Sequence, residues 1–484
     1  MSLSSAISNA LSGLAATSRG TEVVSTNISN KSVSGYARRE LELSSRLYAA
    51  NGGGVAIDGV QRMVNAGLLA ENRLALARAT GSETLATFHA SVEANFGTAD
   101  DASSLTSQLT AFDAAIAAAT SRPDSDVRLQ DVLDSARNLA AKIGDVSQGI
   151  EDARTGAEKA IASDVDKLNT ALERVAALNR QITVTSSQGG DPSSLMDARQ
   201  AAIDEISGIV PLVEVTRENG RVALFTKGGA TLLDGTTPAQ IGFAAAGRVT
   251  ADMSVENGAL GTLTINGKAL SQSEMAVLAG GSIGANFQIR DQLAPEYQKQ
   301  IDGFARELYD RFADPAVDAT LGGGHGLFSD LQADLDPANE TGFAGRIAVS
   351  DTYDPDRGGE LWRLRAGQNA AGPGDLGESG LLLRMSTALS ENRAPASAAM
   401  STTPRTMLTL ATDIVSRAST FRLGSEATAL QDKTHSDTLR TTLLAEGVDT
   451  DSEMEGLLSL ERAYASNAKV LQTVNDMLDQ ILRL

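Results

Sequence analysis

Apolar and small residues recur at alternating steps of four and three along both ends of this chain. At the start the series is Leu3, Ile7, Ala10, Leu14, Thr17, Thr21, Val24 and Ile28. At the other end it is Leu457, Leu460, Tyr464, Asn467, Leu471, Val474, Leu478 and Ile481. Such spacing lays one seam along a helix, as in coiled coils. Neither seam can bury itself alone. The first and last helices are therefore expected to pair, closing the chain into a hairpin with everything else bulging from the middle. Asn467 is the one polar residue of the final seam: it is either tolerated near one end of a bundle or sets the register.

The first helix should stop near Asn30, where Lys31 to Tyr36 forms a turn with Gly35 free to take positive φ. Arg38 to Leu47 alternates weakly, Asn51 to Gly54 is expected to break the chain, and a short strand is expected over Val55 to Val60. Met63 to about Ser186 reads as helix, interrupted at Pro123. Helical spacing runs over Asp126 to Val146 and again over Ala157 to Ile182, the latter about 39 Å long as helix. Gly189 to Pro192 ends it, and a shorter helix is expected over Leu195 to Ile206. Ile209 to about Leu278 changes character, with two Asn-Gly hairpin turns at Asn219-Gly220 and Asn266-Gly267. Helix returns over Asn286 to Arg311. Asp314 to Pro373 is loop-rich, with strands expected at Arg346 to Val349 and Leu361 to Leu364. From Gly377 the chain is helical, and Thr450 with Glu453 suggests a capping box opening the last helix.

Composition narrows the function. The 484 residues carry a net charge of −20 and include no cysteine. The acidic balance argues against nucleic acid and against an anionic membrane surface. Without cysteine there is no disulfide, thiolate metal site or Cys nucleophile. No run of about 18 apolar residues is present, so no membrane span is expected. Met1 to Ser18 carries no charged side chain, and the basic start of a cleaved secretory signal is missing. An uncharged helix of this kind reads as one surrounded by neighbouring protein, or disordered until it meets them.

Candidate chemistry is sparse. Gly261 to Lys268 resembles a phosphate loop, but its glycines are misspaced and Ala269 replaces the magnesium-binding hydroxyl. Asp354 to Gly359 lacks the third oxygen ligand of a calcium loop, and Arg365 stands where the closing Glu belongs. His89, His325 and His435 fall in no ligand spacing. No catalytic constellation, cofactor site or metal site is expected.

Ser12 to Ala16, Ser25 to Asn30 and Val33 to Arg38 together resemble the N-terminal signature of bacterial flagellar axial proteins, with Asn27, Asn30, Gly35, Tyr36 and Arg38 as its marked positions. Further matches resemble the hook-associated members of that family. They are Phe96-Gly97, Ser121 to Pro123, Met196 to Arg199, Ile289 to Asp291, Tyr297-Gln298, Gly326 to Phe328, Gly447 to Asp449 and Val470 to Thr473. Gly20-Thr21 and Gln200 depart from the pattern. The resemblance implies a structural adaptor of the hook–filament junction that forms a ring at the distal end of the hook. It implies self-association, contact with hook protein and with a second hook-associated junction protein, and an export chaperone at the C-terminal helix. It also implies an extracellular location on the flagellum, reached without a cleaved signal, with both ends disordered in the free monomer. A rod or hook subunit is the alternative within the family, and an enzyme or adhesin on an axial scaffold the alternative outside it.

The expected fold is mainly α with a β-rich insertion. Residues 1–48 and 441–484 form a terminal coiled coil, 49–208 and 285–440 a helical rod domain with a loop-rich segment at 314–376, and 209–284 an outer β-rich domain.

Overall fold

The computed structural model describes residues 3–33, 35–48, 51–98, 100–271 and 273–482. Met1 and Ser2 of the uncharged start and Ser34 of the first turn lie outside the described residues. The chain opens with helix α1 (Leu3–Asn30), followed by the antiparallel hairpin β1 (Arg39–Tyr48) and β2 (Asn51–Arg62). Helices α2 (Ala66–Phe96), α3 (Leu105–Ser121), α4 (Asp126–Ser187) and α5 (Ser193–Ser207) come next. Strands β3 (Leu212–Thr216), β4 (Val222–Thr226), β5 (Thr231–Asp234) and β6 (Thr237–Pro238) make one antiparallel sheet. Strands β7 (Ile241–Gly242), β8 (Thr264–Ile265) and β9 (Lys268–Ala269) make another.

Helix α6 (Gly281–Gln288) runs through a π-helical turn at Ile289–Leu293 into α7 (Ala294–Phe312). The loop-rich stretch holds β10 (Phe328–Asp330), β11 (Ile347–Val349) and the short α8 (Arg363–Ala366). The chain ends with α9 (Gly380–Ser390), α10 (Met407–Ala445) and α11 (Thr450–Leu482).

Local signals place most boundaries. Asn65, Ser104, Ser125 and Thr406 accept a hydrogen bond from a first-turn N–H of α2, α3, α4 and α10. Both Asn-Gly turns hold positive φ, at 57° and 70° for Asn219-Gly220 and at 53° and 79° for Asn266-Gly267.

Four local expectations are corrected. The two helical stretches over 126–182 are one helix of 62 residues, about 93 Å long. Asn51 to Gly54 does not break the chain but opens β2. Gly54 lets that strand approach α1, because a Cβ there would lie 2.1 Å from Ser12 Oγ, and Ser12 accepts the Val55 N–H at 3.1 Å. Leu361 to Leu364 is not a strand: the chain turns into α8, whose Arg365 is buried and donates to the Leu376 and Pro373 carbonyls. Finally, Glu453 does not close a capping box. Its carboxylate is taken by Asn27 and Arg38, and Asp449 instead accepts the Asp451 N–H at 3.2 Å.

Two apolar cores form. The larger joins α2, α3, residues 129–157 of α4, α7, α9 and the start of α10, with Phe112, Phe312 and Phe328 in contact tilted and edge to face. The smaller joins residues 161–176 of α4 with α5, α6 and the sheet strands. The β-rich insertion therefore shares its core with the long helix.

Candidate functional site: the paired ends of the chain

Several polar side chains of helix α1 are satisfied by its own backbone. Thr17, Thr21, Thr26 and Ser29 donate to the carbonyl four residues back at 2.7–3.0 Å, and Asn30 does so at 2.9 Å. Such a surface needs no water and can be covered by another helix.

That helix is α11, which runs antiparallel to α1. A Cβ on Gly13 would lie 2.6 Å from Asn467 Nδ2, and one on Gly20 would lie 3.0 Å from Leu460 Cδ2. Asn27 Nδ2 donates to Glu453 Oε2 at 3.0 Å. Each contact is seven residues from the next on both helices, which is a heptad register. The line of contact runs through Ala10, Gly13, Thr17, Gly20 and Asn27, one residue earlier than the expected Leu14, Thr21 and Ile28. Apolar counting passes over Gly and Asn, yet small residues let two backbones approach. Of the expected N-terminal seam, Ala10 is buried and Leu3, Ile7, Leu14, Val24 and Ile28 are half-buried. At the other end Val474 is buried, and Leu457, Leu460, Asn467, Leu471 and Leu478 are half-buried. Tyr464 is 51% and Ile481 56% exposed.

A polar cluster fixes the base of the pair. Asn27, 1% exposed, accepts from Tyr36 Oη at 2.7 Å and from the Arg39 N–H at 3.0 Å, and donates to the Arg39 carbonyl at 2.9 Å. Arg38 Nε binds Glu453 Oε1 at 2.7 Å. Burial raises the Tyr36 pKa, helped by the carboxylates of Asp197 and Glu453 against the opposing Arg39. On α5, Asp197 gathers the whole arm: it accepts from the Ala37 N–H at 3.2 Å, from Arg39 at 2.7 Å and from Arg62 at 2.9 Å. Gly35, at φ 80°, lies so close that a Cβ would sit 2.8 Å from the Asp197 carbonyl oxygen. The turn therefore demands glycine twice over, by conformation and by space.

Glu453 and Asp197 are the two acids of this cluster that seam counting missed. Their signal is weak in sequence, since each is an ordinary acid on a helix until the arm folds onto it. Among the described residues no group of acids or histidines could hold a metal ion. Asp354 is bound to Arg137 and accepts the Asp356 N–H at 3.0 Å, so a guanidinium stands where a cation would. His89 is buried against Tyr297 Oη at 2.9 Å, and His325 pairs with Asp334. Among the described residues no helix is long and apolar enough to cross a membrane.

A long helical body thus carries the two paired chain ends beside it. Residues 442–484 match the family model described as flagellar basal body rod FlgEFG protein C-terminal. Residues 90–316 match the model of the flagellar hook-associated protein FlgK helical domain. The chain is 29% identical over 246 residues to flagellar hook-associated protein 1 of Salmonella typhimurium, covering 49% of this chain and 44% of that protein. It is 27% identical over 246 residues to the protein of the same name from Escherichia coli K12, covering 49% and 45%. The match thus spans less than half the length of these relatives. A solved structure, the flagellar hook junction protein FlgK from Burkholderia pseudomallei, aligns with TM-score 0.45 and 21% identity over 54% of this chain and 46% of that one. The chain is thus similar over residues 90–316 to the helical domain of a flagellar hook-associated protein, and over residues 442–484 to the C-terminal part of flagellar rod proteins.

Proposed function

We propose that this chain is a structural adaptor that polymerises as a ring at the distal end of the hook and carries the filament above it. The observation that supports this most is the heptad register of α1 against α11, which leaves apolar residues on the outer faces of both helices. Leu11, Met454, Leu458, Tyr464, Val470, Met477 and Ile481 are each between 45% and 56% exposed. Sister copies packed side by side as a tube of coiled coils would bury them. In this reading residues 1–48 and 441–484 form the inner coiled coil, and 49–208, 209–284 and 285–440 face outward.

Hook protein lies below the ring, a second hook-associated junction protein lies above it, and an export chaperone holds the C-terminal helix beforehand. In this reading the protein works outside the cell on the flagellum. A strain lacking it should make hooks without filaments and lose filament protein to the medium. Normal filaments on that strain would refute the adaptor role. The C-terminal match, shared with rod proteins, favours a rod or hook position as the second reading. Tomographic localisation of a tagged chain along the flagellum distinguishes the two.

A further inference from the structure

The two apolar cores meet at a layer that is polar. Helix α4 buries apolar residues from Leu129 to Ile150 and again from Ile161 to Ile182, with Ala157 the one buried apolar residue between them. Between them, Glu151, Arg154, Thr155 and Glu158 occupy the same helical spacing with polar side chains. These four hold the segment 246–253 by hydrogen bonds. Glu158 accepts the Ala246 N–H at 2.8 Å, Thr155 the Val249 N–H at 3.0 Å and Glu151 the Ala251 N–H at 3.2 Å. Arg154, 2% exposed, donates to the carbonyls of Thr250 and Met253, both at 2.7 Å, and of Arg290 at 3.0 Å. Arg290 and Glu158 are fully buried and paired at 2.6 Å. Val249 and Leu260 are buried but join neither core.

The second helix crossing this level is irregular at the same place. Arg290 lies in the π-helical turn 289–293 between α6 and α7. Beside the layer is an open polar cleft of about 780 Å³. Arg248 and Asp252 line one wall, and Asp330, Asn339 and Arg346 the other. The walls come close at one point, where a Cβ on Gly342 would lie 3.2 Å from Ala251 Cβ. The Gly342 wall is pinned to α7 by Asp302, which accepts the Gly342 and Ala344 N–H groups at 2.7 and 2.8 Å.

Close-packed apolar cores move as units and do not deform continuously. Of the polar layer, Glu151 lines the cleft, and its bond to the Ala251 N–H can exchange with the water there. Long helices bend smoothly, and a π turn is a frequent site of adjustment. We infer that the Glu158–Arg290 layer is a joint about which the smaller core and its sheets swing against the larger one, opening and closing the cleft with Arg154 as the pivot. The inference is independent of where along a flagellum the chain sits.

The chain has no cysteine, so paired spin labels can be placed uniquely. One pair, Arg248→Cys with Ala338→Cys, spans the cleft on exposed residues of its two walls. A control pair, Asp124→Cys with Glu378→Cys, lies on exposed residues beside Arg365, which ties Pro123 to Leu376 within the larger block. Dipolar distance measurements on the folded full chain should give a cleft distribution at least about twice as wide as the control. Joining the cores with Glu158→Leu plus Arg290→Met should narrow it towards the control, since an apolar pair of similar volume often replaces a buried ion pair without loss of fold. A cleft distribution as narrow as the control overturns the joint. So does a folded double variant of unchanged width. If the double variant does not fold, the two wild-type widths decide alone.

Discussion

The terminal pair and the helical body are built from helices of similar pattern but hold their shape differently. Helix α4 buries 24 of its 62 residues. Helix α11 buries two of its 33, Glu453 and Val474. The body excludes water with edge-to-face aromatics and fully buried branched side chains. The pair touches along one line, with glycines against Asn467 and Leu460 and a polar cluster at its base. A line contact orients two helices without enclosing them. The body is enclosed within one chain, whereas the pair leaves apolar side chains of both helices exposed.

Substitutions that act on one region and spare the other test this contrast. The largest effect belongs to the body: Phe112→Ala should cost about 3–5 kcal/mol, seen as a fall in the denaturant midpoint of the main unfolding transition. In the pair, Leu471→Asp should abolish assembly into hook–filament junctions while leaving that midpoint where it was, because a charge at a buried seam costs several kcal/mol. Filament attachment at wild-type levels would show that the seam is not buried on assembly. Gly13→Leu forces the helices apart at Asn467 and should weaken their contact by about 1–3 kcal/mol, read as faster amide exchange over residues 3–30 with residues 129–150 unchanged.

A smaller loss, about 0.5–1.5 kcal/mol, is expected from Glu453→Gln, which removes the charge from Arg38 but keeps a partner for Asn27. The same exchange measurement, now over 450–460, checks it. The smallest effect returns to the body. Burial lowers the His89 pKa below its ordinary 6.5. The unfolded chain therefore takes up the proton first, and stability present above pH 6.5 is lost as pH falls from there towards the lowered value. His89→Gln should flatten that part of the stability–pH curve. An equally steep curve in the variant would assign the acid sensitivity to other groups.

Much of this was legible from residue order. Seam spacing at the two ends anticipated helices that lie together, and the two Asn-Gly pairs marked hairpin turns that the backbone adopts. Pro123 marked the break between α3 and α4, and Asn65, Ser104 and Ser125 are caps of the kind that short-range chemistry selects. The departures have one cause. Seam counting favoured Leu14 and Ile28 because it scores apolar area, but backbone approach is set by what is small, so Gly13, Gly20 and Asn27 make the contact. Glu453 looked like a local cap until Asn27 and Arg38, over 400 residues away in sequence, competed for its carboxylate. The stretch 147–156 lacked a continuous apolar stripe, so α4 read as two helices, although polar partners from 246–253 keep it one.

Residue order by itself determined which segments are helical, where most of them stop, and that the two ends carry matching stripes, because propensity, caps and periodicity act within a few residues. The tertiary structure alone decided which face of α1 meets α11, that Asp197 gathers the N-terminal arm, and that a polar layer divides the cores. Those outcomes depend on groups distant in sequence meeting at distances set by the packing of everything between them.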